Sequence, residues 1–428
     1  MYVLDTMVRH NLKSQVTKQL SLVVEHTVKI GSLYSLCGLP TNEITDLVHH
    51  FYMVLNQVVS RRYLLPRNYR RRTPKFHIYL DVNHDDSLSE SDFRFHFRLS
   101  RVHFWELVDL VQHHDAFKRS SSDSRGPMPK QPAYQMLILL KYLGSDGNQA
   151  CSRALSNFFG VASGVIDTCR KNALIALLSL EDQTYVWPNA DERKRIASRI
   201  KAKYYFPHCV GIIDGTLLPL AFKPRLHGEN YLCRKKFYAL TMLVICDDFA
   251  RILYYNLGWP GSVHDNRVWR NCKVALNPAD HFSPRQYLLG DTAYTASNIM
   301  VPPFKSSGGV VLSNNENAFN TLVAKPRVKS EHCIGILKGR FPFLRGIRLR
   351  LGSKKDMRKI INYIRGTVVL HNFLRNDDEW VPVEPENYWE GEETDPEAYI
   401  PYAGNRPNYL RRDEVYNYLS ELEETVIN

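Results

Sequence analysis

Apolar residues recur at helical spacing over the first sixty residues of the chain. One such stripe consists of Ile44, Leu47, Val48, Phe51, Val54 and Leu55. A recurrence every three to four residues is that of one face of an α-helix. Residues 1 to about 60 are therefore predicted to be helical.

A run of basic side chains with Pro66 and Pro74 follows, and these prolines discourage regular structure. The run is a nuclear address, a phosphate-contacting arm or a solvated linker, and the sequence leaves these three open. We assign residues 1–88 to a helical N-terminal region that ends in this linker. The basic residues are Arg61, Arg62, Arg67, Arg70, Arg71, Arg72 and Lys75.

Helical spacing returns between about residues 93 and 180. One helix is expected before Gly160 and a second one after it. Two helices joined at a glycine are typical of a helix-turn-helix, although an ordinary helical hairpin has the same pattern. In a helix-turn-helix, Arg170 and Lys171 of the second helix would face DNA phosphates. Residues 89–203 are therefore predicted to form a helical, helix-turn-helix-like domain.

After Tyr205 the chain changes to short runs of β-branched and aromatic residues, which predict strands. The run 209–214 is expected to be an apolar strand that ends in Asp214 and is followed by a glycine turn. The run 286–291 is expected to be another strand ending in an aspartate, Asp291. Both carboxylates would then be held rigidly at the edge of a sheet.

Further elements are expected between and after these strands. The runs 238–248 and 252–259 predict a β-hairpin. Asp265 precedes a short predicted helix, and Pro326 is expected to open a later helix at its first position, with Glu331 on one side of that helix.

The net charge of +12 conceals a division along the chain. Residues 377–428 hold 15 acidic and 3 basic side chains, so the 56 basic and 44 acidic residues of the whole chain leave 53 and 29 in residues 1–376. A body with a charge of +24 suits a polyanion, and a solvated cationic surface explains the charge equally well. The acidic tail is expected to be mobile for much of its length, with a helix at 413–424.

Membrane and secretory classes are not expected. No apolar run approaches the ~18 to 20 residues that cross a bilayer, and the N-terminus lacks a compact apolar signal region. The eight cysteines are scattered singly, which favours reduced, buried thiols over a zinc site or a disulfide framework.

Four carboxylates from separate elements pose an electrostatic problem if they meet, because like charges repel unless a cation lies between them. Mg²⁺ prefers carboxylate oxygens, and two such ions about 3.5 to 4 Å apart can clamp a phosphodiester undergoing displacement. Each acid taken singly could instead form a turn, cap a helix or lie on the surface. The four are Asp214, Asp265, Asp291 and Glu331.

Their order and context resemble the DDE superfamily endonucleases of the PIF/Harbinger transposase-derived nuclease family. The resemblance rests on GIIDGT around Asp214, PGSVHD ending at Asp265, LLGDTAY around Asp291 and RVKSEHCIGILKGRFPFL around Glu331. It closes with VVLHNFLR and covers roughly residues 90–375.

The resemblance implies an α/β fold for residues 204–376, with an RNase H-like mixed sheet flanked by helices. It implies that Asp214, Asp291 and Glu331 form the DDE triad, and that Asp265 is an additional metal-binding carboxylate. Divalent Mg²⁺ or Mn²⁺ would be the cofactor.

Four basic residues near these acids are candidate DNA contacts: Arg234, Lys235, Lys338 and Arg340. Solvated side chains are the alternative for each of them. The resemblance also implies double-stranded DNA as substrate and a separate Myb-like DNA-binding protein as partner. A homo-oligomer and a location in the nucleus, with the cytoplasm as a second location, are further expectations.

Two functions are consistent with these features. The first is a metal-dependent DNA endonuclease or transposase-like enzyme that hydrolyses phosphodiester bonds, with strand transfer as a further step. The second is a domesticated, catalytically silent DNA-binding or scaffold protein that keeps the fold. The presence of all four acids favours the first, because a silent copy has no chemical reason to hold these charges together.

Overall fold

The chain is described by a computed structural model that divides it into two units, Met1–Arg72 and Thr73–Asn428. The predicted basic linker and the first part of the acidic tail lie outside the described residues. The structure describes residues 2–60, 88–118, 130–306, 311–375 and 410–427.

The first unit consists of two helices, α1 (Tyr2–Leu36) and α2 (Asn42–Ser60), which pack against each other. A Cβ added at Gly31 would lie 3.1 Å from a methyl group of Ile44, so glycine permits a close approach of the two helices. The helical prediction for residues 1–60 is confirmed.

The second unit begins with a helical region. Its helix pair around Gly160 is present, and Gly160 ends the first helix of that pair in the left-handed conformation, at φ +66°. The helices of this region are α3 (Glu90–Phe97), α4 (Arg101–Val111), α5 (Pro132–Leu143), α6 (Ser152–Phe159), α7 (Ser163–Leu178), α8 (Glu181–Thr184) and α9 (Ala190–Tyr204).

A five-stranded mixed sheet follows, in the spatial order β3-β2-β1-β4-β5. β2 pairs antiparallel with β1 and with β3, whereas β4 pairs parallel with β1 and with β5. The predicted hairpin is the β2–β3 pair. The strands are β1 (Cys209–Pro219), β2 (Ala239–Cys246), β3 (Ile252–Pro260), β4 (Tyr287–Leu289) and β5 (Met300–Val301).

The first strand is longer than the sequence predicted. Asp214 does not end β1, and Gly215 does not turn the chain, because β1 continues to Pro219 in unbroken antiparallel register with β2. Its parallel pairing with β4 stops earlier, at Ile212. Asp214 therefore lies in mid-strand, at the point where β1 parts from β4.

Further helices follow β1 in the chain and pack against the sheet. One prediction here is wrong: Pro326 lies inside a helix of 27 residues, which begins instead at a capping box formed by Ser313 and Glu316. These helices are α10 (Asp265–Arg270), α11 (Lys273–Leu276), α12 (Pro278–His281), α13 (Asn314–Arg340), α14 (Lys354–Phe373) and α15 (Leu410–Ile427).

The two faces of the sheet pack into two hydrophobic cores, because neighbouring residues of a strand point in opposite directions. Ile212 and Val244 lie in the first core with α3–α7, α14 and the C-terminal part of α13. Ile213 and Ile245 lie in the second core with α9, α10, α15 and the N-terminal part of α13. The helical region predicted as residues 89–203 thus shares its cores with the sheet.

Two further predictions concern the thiols and membranes. All eight cysteines are unpaired, and six of them are buried, but Cys37 and Cys151 are exposed. The expectation that every thiol is buried is therefore wrong for these two. Within the described ranges, the chain has no helix of sufficient length and apolarity to span a membrane.

Candidate functional site

Two of the predicted acids are neighbours because of the strand register. Ile212 of β1 is paired with Leu289 of β4, and Asp214 and Asp291 each follow two residues later. The two carboxylates thus lie just beyond the last parallel pair. Backbone groups orient both of them: Gly215 N–H donates to Asp214 Oδ1 at 2.8 Å, and Ala293 N–H donates to Asp291 Oδ1 at 2.9 Å.

Asp265 reaches the same place from the first position of α10. A Cβ added at Gly215 would lie 2.3 Å from Asp265 Cγ, so the carboxyl group of Asp265 packs directly onto the backbone of β1. Asn266 Nδ2 donates to Thr295 Oγ1 at 2.8 Å, and Thr295 N–H donates to Asn266 Oδ1 at 3.2 Å. This reciprocal pair ties α10 to the loop that carries Asp291.

The charge of Asp291 acts on both Asp214 and Asp265. Burial, followed by the charge of Asp291, raises the pKa of Asp214 to about 7, although the guanidinium of Arg327 acts in the opposite direction. Burial and Asp291 likewise raise the pKa of Asp265 to about 6, against an opposing effect of Arg234. A proton or another cation is therefore favoured between these carboxylates.

Tyr294 packs beside the aspartates and was not singled out as a site residue by the sequence. An added Cβ at Gly290 would lie 2.7 Å from Cδ2 of this ring, so the glycine before Asp291 makes room for it. Burial, then the charges of the three aspartates, raises the pKa of Tyr294. Its hydroxyl is buried and has no hydrogen-bond partner among the described residues, which leaves a polar atom unsatisfied at the site.

Glu331 is exposed on α13, and its charge is not among the causes that raise the pKa of Asp214 and Asp265. It lies one helical turn after Arg327, whose charge acts on Asp214, and seven residues before Lys338. Lys338 Nζ donates to Thr216 Oγ1 at 2.6 Å and to the carbonyl oxygen of Leu217 at 2.9 Å. Positions i, i+4 and i+11 lie on one helix face, so Glu331 lies on the side of α13 that faces β1.

Two of the predicted DNA contacts lie at this site. Arg234 and Lys235 are exposed in the segment between β1 and β2. The charge of Arg234 acts on Asp265 and His264, and the charge of Lys235 acts on Lys338. Both cations therefore border the acidic group.

The structure removes two guanidiniums from the predicted set of phosphate contacts. Arg170 is 5% exposed, donates to Asp167 Oδ1 and lies 4.1 Å from the ring centroid of Tyr142. Arg340 is 2% exposed and donates to the carbonyl oxygen of Leu374 at 3.1 Å. Each is buried and bonded within the protein, so neither can reach DNA.

The other two predicted contacts differ from each other. Lys171 is exposed to solvent on α7, where a DNA phosphate could reach it. Lys338 is partly buried, and burial lowers its pKa to about 8. Because its ammonium group bonds to β1, Lys338 joins α13 to the strand that carries Asp214.

The acids have the ligand chemistry of a divalent-cation site, but their side chains are not spaced as the ligands of one cation would be. Their oxygens are the donors that Mg²⁺ and Mn²⁺ prefer, and the raised pKa values together with the unsatisfied Tyr294 hydroxyl fit the binding of a hydrated divalent cation. In the part of the chain that the structure describes, however, no three His, Cys, Asp or Glu side chains are placed to hold a metal ion.

Comparison with known proteins identifies the same region. Residues 213–372 match the family model of the DDE superfamily endonuclease. The cattle protein "Putative nuclease HARBI1" (Bos taurus) is 24% identical over 47% of this chain, and the match spans 56% of its own length. "Protein ALP1-like" of Arabidopsis thaliana is 22% identical over 65% of this chain and 69% of its own length. No solved structure matches the chain significantly.

The matched region contains all four predicted acids, which lie on β1, on α10, after β4 and on α13. Over residues 213–372 the chain is therefore similar to the DDE superfamily endonucleases, the family that its sequence motifs resemble.

Proposed function

We propose that this protein is a divalent-metal-dependent DNA endonuclease that hydrolyses phosphodiester bonds. The observation that carries the proposal is the convergence of Asp214, Asp265 and Asp291, in which burial and the charge of Asp291 raise the pKa of the other two. Buried carboxylates that repel one another are costly unless a cation offsets them, and hard divalent cations are the ions that suit them.

The proposed fold is RNase H-like. The strand order β3-β2-β1-β4-β5, with β2 antiparallel to its neighbours and β4 parallel to β1, supports this assignment. Asp214 lies on the central strand β1, and Asp291 follows its parallel neighbour β4.

Asp214, Asp291 and Glu331 are the proposed catalytic triad, and Asp265 is the proposed additional metal ligand. When bound, two Mg²⁺ or Mn²⁺ ions would activate a water molecule and stabilise the charge on the phosphate. For Glu331 to take part, its exposed side chain must turn from solvent toward β1. Its place on the β1-facing side of α13 supports that role.

The other residues of the site orient the acids and the substrate. The Asn266–Thr295 pair holds α10 against the loop of Asp291, and Lys338 holds α13 against β1. Arg234 and Lys235 are the proposed phosphate contacts beside the acids. Stabilising a phosphate next to a cluster of carboxylates requires such cations, since bare carboxylates repel DNA.

Further roles follow from the family and stay predictions. They are the helix-turn-helix role of α6 and α7 with Lys171 facing DNA, strand transfer after cleavage, self-association, a Myb-like partner protein and a nuclear location. The domain boundaries at residues 88, 203 and 376 have the same status.

The proposal is tested by nicking of supercoiled plasmid DNA with purified protein in Mg²⁺ or Mn²⁺. Wild type should cut, whereas Asp291→Asn and Glu331→Gln should bind DNA without cutting it. Asp280→Asn, which neutralises an exposed acid on α12, is the matched control and should cut like wild type. If wild type binds DNA but does not cut with either metal, even beside a Myb-like protein, the protein is a silent DNA binder.

A further inference from the structure

A second basic surface lies beyond the acids, at the far end of β1. The segment after β1 pairs with the segment before α14: Ala221 N–H donates to the carbonyl oxygen of Ile347 at 3.0 Å, and Arg225 N–H donates to that of Leu351 at 2.9 Å. The side chains that project from these paired segments form what we call the basic-aromatic surface. Its members are Phe222, Lys223, Arg225, Arg348 and Arg350.

Alternation along residues 347–351 produces this surface. Ile347 and Leu351 are buried in the first hydrophobic core, and Arg348 and Arg350 between them are exposed. Because side chains of an extended segment alternate in direction, both guanidiniums point to the same side. Their Cζ atoms lie 5.9 and 5.5 Å from the centroid of the exposed Phe222 ring.

The charge of this surface is not neutralised within the described residues. No salt bridge there involves Lys223, Arg225, Arg348 or Arg350. Two guanidiniums lie beside the Phe222 ring, with Lys223 and Arg225 on the paired segment, and a polyanion would relieve the repulsion among these like charges. An exposed aromatic ring among cations is the combination that binds single-stranded nucleic acid, since phosphates meet the cations and a base stacks on the ring.

We propose that the basic-aromatic surface binds single-stranded DNA next to the cleavage site, with its phosphates on the four cations and a base on Phe222. This inference rests on the proposed function, because DNA is the proposed substrate. Phe222 follows Asp214 by eight residues, which at about 3.3 Å per residue sets an upper limit of roughly 26 Å between them. At 3.4 Å per nucleotide, no more than about eight nucleotides separate the surface from the scissile bond.

Binding is measured by fluorescence anisotropy in EDTA, so that cleavage cannot contribute. The probes are a 20-nucleotide single strand, a blunt 20-base-pair duplex and the same duplex with a 10-nucleotide single-stranded extension. Wild type should bind the extended duplex more tightly than the blunt one. Phe222→Ala should weaken binding of the single strand by about 5- to 150-fold, the range found for loss of one stacked base, and should leave the blunt duplex unaffected.

The cations are tested through the salt dependence of binding. Arg348→Ala/Arg350→Ala should lower the slope of log affinity against log salt by about 1.4 for the single strand, since each lost phosphate contact removes about 0.7. Lys201→Ala/Lys203→Ala is the matched control. It removes two exposed cations from the last turn of α9, before the opposite end of β1, and should change neither the slope nor the preference for the extension.

Several outcomes would overturn the inference. The first is equal binding of the blunt and extended duplexes by wild type, and the second is unchanged binding of the single strand by Phe222→Ala. The third is an equal decrease of the salt-dependence slope in Arg348→Ala/Arg350→Ala and in Lys201→Ala/Lys203→Ala. Circular dichroism of each variant separates loss of binding from loss of folding. Because no step requires catalysis, a protein that fails to cut DNA still gives a result for this surface.

Discussion

The buried charge of Asp214 should reduce the stability of the protein in the absence of metal, so Asp214→Asn should stabilise it. Asparagine keeps the size of the side chain and an Oδ1 that can accept the Gly215 N–H bond, but it carries no charge to bury. The same substitution should abolish cleavage. An increase in stability with a loss of activity is expected where a site holds strained charges for function.

The magnitude follows from the pKa of Asp214, which rises from 3.8 to about 7. A shift of roughly 3 units at 1.36 kcal/mol per unit corresponds to about 4 kcal/mol. The folded state holds the proton more tightly than the unfolded state, so stability from this group is present below pH 3.8 and is lost as the pH rises to about 7. Asp214→Asn should therefore match wild type near pH 4 and exceed it by up to about 4 kcal/mol at pH 8.

Urea unfolding of both proteins, followed by far-ultraviolet circular dichroism in EDTA at pH 4 and at pH 8, measures this difference. A parallel series in Mg²⁺ should stabilise wild type at pH 8 and leave Asp214→Asn nearly unchanged, because a ligand stabilises only a protein that binds it. If Asp214→Asn is no more stable than wild type at pH 8, or if the difference is the same at both pH values, burial and the charge of Asp291 do not penalise the Asp214 carboxylate as described.

Three further predictions concern how the site is held together. Gly215→Ala should displace the carboxyl group of Asp265 and lower the rate of plasmid nicking at least tenfold, while Gly164→Ala, where an added Cβ meets nothing within 4 Å, should leave the rate unchanged. Asn266→Ala loses both hydrogen bonds to Thr295 and should lower the free energy of unfolding, measured by urea titration, by about 1 to 3 kcal/mol. The same variant should nick plasmid DNA more slowly. Unchanged stability would show that this pair does not hold α10. Chelation with EDTA should stop nicking, and added Mn²⁺ should restore it; nicking that persists in EDTA would contradict a metal requirement.

The type of the longer helices and strands was predictable from local pattern, because alternation and helical spacing are properties of neighbouring residues. The β2–β3 hairpin and the final helix of the tail were found in this way. The end of β1 was misplaced because the Asp-Gly pair resembles a turn, whereas the long antiparallel partner β2 keeps the strand extended. Because Gly215 has no side chain, Asp265 can pack against its backbone. This contact joins segments that are fifty residues apart in the sequence.

The start of α13 was misplaced for a similar reason. Proline is favoured in the first turn of a helix, so Pro326 looked like a beginning. The capping box at Ser313 and Glu316 was the stronger signal, and it starts the helix twelve residues earlier, at Asn314. Packing of α13 against both cores outweighs the one hydrogen bond that an internal proline removes.

The candidate acids were found from sequence because they occur in recognisable motifs, but their neighbours were not. Arg170 and Arg340 look like surface cations in the sequence, and only the tertiary structure shows that each is buried with a partner. Tyr294 and Asn266 lie inside the LLGDTAY motif and next to PGSVHD, so proximity to the motifs was the available signal. Their roles depend on which loops meet, and local patterns do not contain that information.

The helix that carries Glu331 belongs to both cores, and this links the site to the end of the chain. Phe319 in its first half packs against Tyr416 of α15, with ring centroids 5.8 Å apart, whereas Leu337 in its second half lies in the opposite core. The last helix is thus part of the support for an acid almost ninety residues before it. Removing residues 410–427 for crystallisation, or fusing a bulky tag to them, would weaken the packing of the first half of α13, the helix that carries Glu331.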